Sequence, residues 1–313
     1  MQVENAQRVQ LLLSMALIGA SGSGKSRKAL TIAYGLLKFK YPEISDEEIW
    51  QKVGAVDTEK RRLDYYVNRT FNDNAPINIG VFKKVNLTPP FTATRCKQAV
   101  DLLKKSGCEV VIFDSFSHSW FSTGGVLELQ KDAGGTYQAW GSKSVTNALN
   151  VIYELIRNDV HMITTLRAKE DLRLVPDETG KLEVKKFGVK AVMREEIKFE
   201  YDVSLMLDSD HKYHIDKDNT DIFESRGNGG IITIEDGFAL GQWLDEGLPI
   251  EEVNKQRLEQ LSADVSDLLS NDEKAIQKYE RYATAYEKKM KKELDLTTLD
   301  LAGLTAIYNY LIK

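Results

Sequence analysis

The chain has 313 residues, 42% of them hydrophobic and 28% charged, and a net charge of −5. That length suits one large domain with an appendage, and the composition excludes wholesale disorder. The acidity excludes a protein that coats nucleic acid by overall charge, though not one with a local basic groove, and Cys96 and Cys108 alone exclude a disulfide framework.

Residues 9–18 (VQLLLSMALI) read as a strand buried on both faces; the apolar run is too short to span a membrane. A helix is expected over 25–40, with Ala29, Leu30, Ala33, Leu36 and Leu37 on its inner stripe and Pro42 beyond its end. Residues 53–56 form a second predicted strand, ending at Asp57-Thr58-Glu59, and 77–82 a third. A helix over 92–105 stops at Gly107. The next strand, 109–113, ends at Asp114. A loop with Gly124-Gly125 and Gly134-Gly135 precedes a helix over 142–157, and a strand over 160–166 ends at Arg167-Ala168-Lys169. Strands alternating with helices indicate an α/β layer with a mostly parallel sheet, whose active residues collect at the strands' carboxyl ends.

Beyond it the pattern changes. Residues 172–175 and 182–187 read as a hairpin around a Pro-Asp-Glu-Thr-Gly turn, and 203–207, 213–216 and 231–234 as further antiparallel strands. From Pro249 onward the chain reads as charged helices, with Asn271 as a cap and Lys288, Lys289, Lys291 and Lys292 at a carboxyl-terminal end. The expected division is a core over 1–247 and a helical region over 248–313.

Gly19-x-x-x-x-Gly24-Lys25-Ser26 matches the phosphate-binding loop pattern and lies between a buried strand and a helix. Gly19, Ser21, Gly22, Ser23 and Gly24 would wrap phosphate oxygens with backbone N–H groups, and Lys25, Ser26 and Arg27 would open the helix behind them. Lys25 would reach the β- and γ-phosphates of ATP, and Ser26 would ligate Mg2+. Val110-Val111-Ile112-Phe113-Asp114 supplies a carboxylate at a strand end, and Asp114 would hold Mg2+ through water. The next residue is Ser115 rather than a glutamate, so the base for water must come from elsewhere. Glu59, at the end of the second strand, is the candidate. His211 and His214 lie three apart in a predicted strand, on opposite faces, which argues against a zinc site. Asp114, Ser115 and His118 lack the strand–turn–helix elbow of a hydrolase triad.

The phosphate loop, Asp57-Thr58-Glu59, Asp114-Ser115 and Thr164-Thr165-Leu166-Arg167-Ala168-Lys169 together resemble the RecA-like core ATPases. The closer likeness is to the phage-encoded branch that accompanies single-strand annealing proteins in recombination. It spans residues 5–240 and implies a RecA-like P-loop core with an antiparallel β extension and a C-terminal helical appendage. The resemblance implies Glu59 as general base, Asp114 as the Mg2+-associated carboxylate and Lys169 as the γ-phosphate sensor. Asp64, Tyr65 and Tyr66 are the implied adenine contacts, at a spacing that departs from the family's, and Lys217 or Arg226 would complete a neighbouring subunit's site. It further implies a homo-oligomer, ring or filament, acting on single-stranded DNA in the bacterial host cytoplasm, with a phage annealing protein or single-strand binding protein as partner and no membrane.

DNA would lie against residues 122–141, where Tyr137 and Trp140 could stack on bases, and against the hairpin, where Lys181, Lys185, Lys186, Lys190 and Arg194 supply charge. Two other readings keep the phosphate loop. One is a small-molecule kinase, for which the lysine-rich insert is a poor lid. The other is a nucleotide-dependent switch with little turnover.

Overall fold

Side chains alternate across a strand, so a strand apolar at every position must be covered on both faces. Ser14–Gly19 (β1) is buried throughout. In the computed structural model, which describes residues 6–157, 159–176 and 182–312, Met15 and Leu17 enter one core and Ala16 and Ile18 another. The remaining strands are Val53–Asp57 (β2), Arg69–Phe71 (β3), Ile77–Ile79 (β4), Lys83–Asn86 (β5) and Val110–Asp114 (β6). They continue with His161–Pro176 (β7), Leu182–Ala191 (β8), Val203–Leu207 (β9) and Tyr213–Asp218 (β10). The main sheet runs β10-β9-β1-β7-β6-β2-β5, parallel except for β10, and β8 pairs antiparallel with β7. The result is a mixed α/β fold compatible with the P-loop type.

Lys25–Lys40 (α1), Asp46–Gln51 (α2) and Ile234–Asp245 (α7) cover one face; Ala93–Lys105 (α3) and Lys143–Ile156 (α6) cover the other. His118–Phe121 (α4) and Val126–Asp132 (α5) lie between β6 and α6 in sequence. Ile250–Asn271 (α8), Glu273–Met290 (α9) and Leu301–Leu311 (α10) complete the helices.

Several expectations are corrected. Residues 77–82 are not one strand of the sheet. Ile77 and Ile79 point into the α1-side core while Asn78 meets Thr70, so β4 pairs with β3 in a separate two-stranded ribbon, and the sheet edge is β5. Residues 203–207 pair antiparallel with β10 as expected, but they also pair parallel with β1, whose other side β9 buries. Residues 231–234 contribute a single bridge, Lys212 to Ile231, and α7 begins there instead. The Asp236 carboxylate reaches back to accept the Thr233 N–H at 2.7 Å, which satisfies a donor at the start of the helix. Residues 122–141 hold α5 and a 3-10 turn at Tyr137–Gly141 rather than open loop. The additional helix α2 starts at Ser45-Asp-Glu-Glu48, a capping box present in full. The predicted turn after Pro176, with Lys181, lies outside the described residues, as do the side chains of Lys185 and Lys186.

The chain divides into two units, residues 12–244 and residues 245–312 joined by 6–11. Residues 6–11 thus leave the predicted 1–247 core. Gln10 N–H donates to Leu248 O, Leu248 N–H to Arg8 O, and the Gln10 amide to Asp245. The second unit has its own core, with Leu261, Val265, Ala275, Leu304 and Ile307 buried. The cap of α9 is Asp272, accepting from Lys274 and Ala275 N–H, because α8 continues through Asn271.

α1 and α7 cross at Gly35 and Gly237. A Cβ on Gly35 would lie 2.2 Å from Ile234 O, and one on Gly237 2.5 Å from Ile32 O. Gly35→Ala is therefore expected to destabilise the protein by ~1–3 kcal/mol, the usual cost of overpacking, despite the better helix propensity of alanine. A lowered urea midpoint at unchanged slope checks this; an unchanged midpoint would refute the close crossing.

Candidate functional site

The parallel strands end at one edge of the sheet, where Asp57 pairs with Asp114 and, two residues further along, Gly19 pairs with Arg167. This is the carboxyl edge, where open α/β sheets place their ligands. From Gly19 the chain turns through Gly22 (φ 86°) and Gly24 (φ 83°), both left-handed, a conformation costly for residues with a Cβ. Ser23 closes the loop, its hydroxyl donating to Ala20 O at 3.0 Å. No side chain caps α1, so its first N–H groups face the loop.

Lys25 Nζ donates to Gly19 O at 2.9 Å and Ala20 O at 2.7 Å. Burial, with Arg167 and Arg62 nearby, holds its pKa below the ordinary lysine value, against the pull of Asp114 and Glu59. Ser26 Oγ donates to Asp114 Oδ2 at 2.5 Å, and Thr165 Oγ1 donates to Asp114 Oδ1. Burial pushes the Asp114 carboxyl up, and the two hydroxyl donors oppose it.

Asp57 shapes the next loop. Its carboxylate accepts Glu59 N–H at 2.9 Å and Leu63 N–H at 3.1 Å, with Lys84 at 3.7 Å. Thr58 is locked to β6: its N–H donates to Asp114 O at 2.7 Å and its hydroxyl accepts Ser115 N–H at 2.7 Å. Glu59 is thereby aimed at a cavity of about 830 Å³ beside the glycine loop, lined also by Arg62, Tyr66, Arg167 and His211. Glu59 Oε1 accepts from Arg167 Nε at 3.0 Å and Nη2 at 2.6 Å, and Arg62 lies 3.3 Å from Oε2.

The predicted residues fare differently. Ser21, Gly22, Gly24, Lys25, Ser26, Glu59 and Asp114 gather round the cavity, with Tyr65 and Tyr66. Tyr66 is half-buried, and burial raises its hydroxyl pKa; Tyr65 is 72% exposed. Asp64 is not in the lining; it pairs with Lys84 and Arg61. Lys169 is exposed, two residues further along β7, in register with Lys190. Arg167 occupies the position beside the loop. Sequence reasoning missed it, although matching the strand ends of β1 and β7 would have found it.

Arg27 also lines the cavity, with its guanidinium engaged by neighbouring residues. It forks onto Asp73 at 2.5 and 2.7 Å, donates to Ala75 O at 2.7 Å and lies 4.1 Å from the Phe71 ring centre. It fastens the β3–β4 ribbon to α1. Lys28, buried, donates to Ile232 O at 2.7 Å, and burial lowers its pKa to about 8.

Lys217 Nζ donates to the Phe199 and Tyr201 carbonyls, and Arg226 pairs with the buried Asp236. Trp140 stacks on Trp120 with centroids 5.8 Å apart, whereas Tyr137 is 88% exposed. Lys190 and Arg194 pair with Glu195 and Glu196. His214 Nε2 bonds Asp208 at 2.9 Å, while His211 packs against Gly24, so the two histidines share no site. His118 Nδ1 meets Thr58 Oγ1 at 2.6 Å, not Ser115, and no triad forms.

Among the described residues no group of three or more His, Cys, Asp or Glu could hold a metal. Mg2+ suits the site nonetheless, since it commonly takes one or two protein oxygens and completes its shell with water and substrate phosphates. The adjoining Ser26 hydroxyl and buried Asp114 carboxylate offer such a pair. No helix among the described residues is long and apolar enough to cross a membrane. Comparison of the chain with protein-family models and with curated proteins returns no match.

The raised Asp114 pKa fixes a sign. Its ionised form is disfavoured in the folded protein, so the resulting cost is present at neutral pH and vanishes as pH falls and the carboxyl protonates. The Tm difference between Asp114→Asn and the wild type should therefore move in favour of the wild type on acidification, and Asp114→Asn should abolish any Mg2+ dependence of nucleotide binding. Scanning calorimetry across pH checks the first and titration calorimetry the second.

Proposed function

We propose that the protein is a Mg2+-dependent RecA-like P-loop ATPase. One observation carries the reading: the Ser26 hydroxyl, at the start of the helix behind the glycine loop, bonds the Asp114 carboxylate from a strand end 88 residues away. A phosphate loop needs that meeting to hold a metal beside the phosphates. Glu59 facing the same cavity supplies a base for water.

Backbone N–H groups of residues 21–25 and the amino end of α1 would hold the phosphates, and Lys25 would exchange its carbonyl partners for phosphate oxygens. Mg2+, held by Ser26 and indirectly by Asp114, would offset charge on the phosphates. Glu59 would take the proton as the water oxygen bonds to the γ-phosphorus and the bond to the bridging oxygen breaks, releasing ADP and phosphate. Tyr65 and Tyr66 line the same cavity and are the rings available for an aromatic contact to adenine.

The wider reading is a phage-encoded protein that acts on single-stranded DNA as a homo-oligomer in recombination or replication, alongside an annealing or single-strand binding protein in the bacterial cytoplasm. It rests on the motif resemblance and on the exposed Tyr137 ring, which is available for base stacking. A second reading, a nucleotide-dependent switch with slow turnover, is favoured by one contact: the candidate base Glu59 is held by two guanidinium groups.

Lys25→Ala should abolish ATP hydrolysis. Glu59→Gln should keep ATP binding and lower turnover roughly 100- to 10,000-fold, the range for loss of a general base. Steady-state phosphate release with and without single-stranded DNA, over a salt series, separates the readings. DNA stimulation that fades with salt supports the DNA-dependent ATPase. Slow turnover unchanged by DNA supports the switch, and wild-type hydrolysis by Glu59→Gln removes Glu59 as base.

A further inference from the structure

Glu59 cannot serve as a base while its oxygens are engaged as they are. Oε1 takes two N–H bonds from Arg167, Oε2 faces Arg62, and the Glu59 side chain is 13% exposed. Arg167 itself is well placed to leave. Its backbone is pinned, with its N–H donating to Ser117 Oγ at 2.9 Å and its carbonyl accepting Val192 N–H at 2.6 Å. Its side chain is 41% exposed, and its guanidinium lies 5.6 Å from the Phe121 ring centre, an apolar surface over which it can turn. Its Cα is the strand partner of Gly19, where the glycine loop begins.

From this geometry we infer that the Glu59–Arg167 ion pair is a latch that a nucleoside triphosphate opens. Arg167 transfers its fork from Glu59 to the terminal phosphate, and Glu59 Oε1 becomes free to bond water. The inference rests on the nucleotide-site reading above. Its physical basis is a difference between two ion pairs. A part-exposed carboxylate–guanidinium pair is weak, because water screens it and both side chains lose freedom. A guanidinium fork onto a terminal phosphate beside Lys25 is charge-assisted, two-pronged and directed at more negative charge. A diphosphate lacks the group that Arg167 would grasp, so it leaves the latch closed. A ligand shifts such an equilibrium only by its differential affinity for the two states, and here that difference is the terminal phosphate. Arg62, bound to the other oxygen, keeps Glu59 oriented after release.

The test uses the full chain with isotope-labelled arginine side chains. The Arg167 Nε–H resonance is assigned by its loss in Arg167→Lys. With Mg2+ and the non-hydrolysable triphosphate AMP-PNP it should shift, and with Mg2+ and ADP it should keep its free-protein position. Calorimetry of Arg167→Ala should show AMP-PNP affinity reduced roughly 10- to 100-fold and ADP affinity by less than about twofold. If AMP-PNP binds in a Lys25-dependent manner and the resonance stays put, or if both nucleotides lose affinity equally, the latch is overturned and the nucleotide site stands. If neither nucleotide binds, or Lys25→Ala binds both as well as the wild type, the nucleotide-site reading itself fails.

Discussion

The Asp114 carboxylate, buried at the carboxyl edge of the sheet, ties together the elements on which the site depends. One oxygen accepts from Ser26 on α1, the other from Thr165 on β7, and its own backbone carbonyl accepts from Thr58 beside β2. A carboxylate out of water is costly unless donors surround it. Here the carboxylate's donors come from two separate segments and the donor to the backbone carbonyl from a third, so satisfying one residue fixes the spacing of the glycine loop, the central strands and the Asp57–Glu59 loop together. The same coincidence puts a hydroxyl, an ammonium and two carboxylates within one cavity.

That cavity holds its cations in reserve. Lys25 rests on carbonyls of its own loop, and Arg167 and Arg62 rest on Glu59. Each positive group has a modest partner that a polyanion could replace without rebuilding the backbone. The rearrangement is confined to side chains because the strand ends are locked by register and by Ser117 and Thr58. Short α4 contributes to both sides of the pair: His118 meets Thr58 next to Glu59, and Phe121 lies under Arg167.

Other charged residues near the site have partners within the chain. Arg27 follows Ser26 directly and was expected among the nucleotide contacts, but Asp73, Ala75 and Phe71 engage it, and the β3–β4 ribbon hangs from it. Lys217 and Arg226, expected to reach a neighbouring subunit, satisfy carbonyls and a buried carboxylate in their own chain. Trp140 packs on Trp120, which leaves Tyr137 as the exposed ring of that segment. In each case a long or planar side chain had two uses, and the nearest unsatisfied group decided which.

Much of the fold was legible because local rules suffice for it. Continuous apolar runs marked the buried strands. Glycines and a lysine between a strand and a helix marked the glycine loop, and Ser45 with Glu48 could have marked α2. Strand ends in Asp57, Glu59 and Asp114 marked the candidate site. Non-local choices were not legible: the parallel pairing of β9, the exclusion of 77–79 from the main sheet, the grouping of residues 6–11 with the tail, and the selection of Arg167 over Lys169. The sequence by itself determined the glycine loop and the lysine and serine that follow it, since a turn between a strand and a helix needs only short-range chemistry. The tertiary structure decided which cation stands beside the loop and what Glu59 is bonded to, because strand register, which a sequence records only through distant partners, sets both.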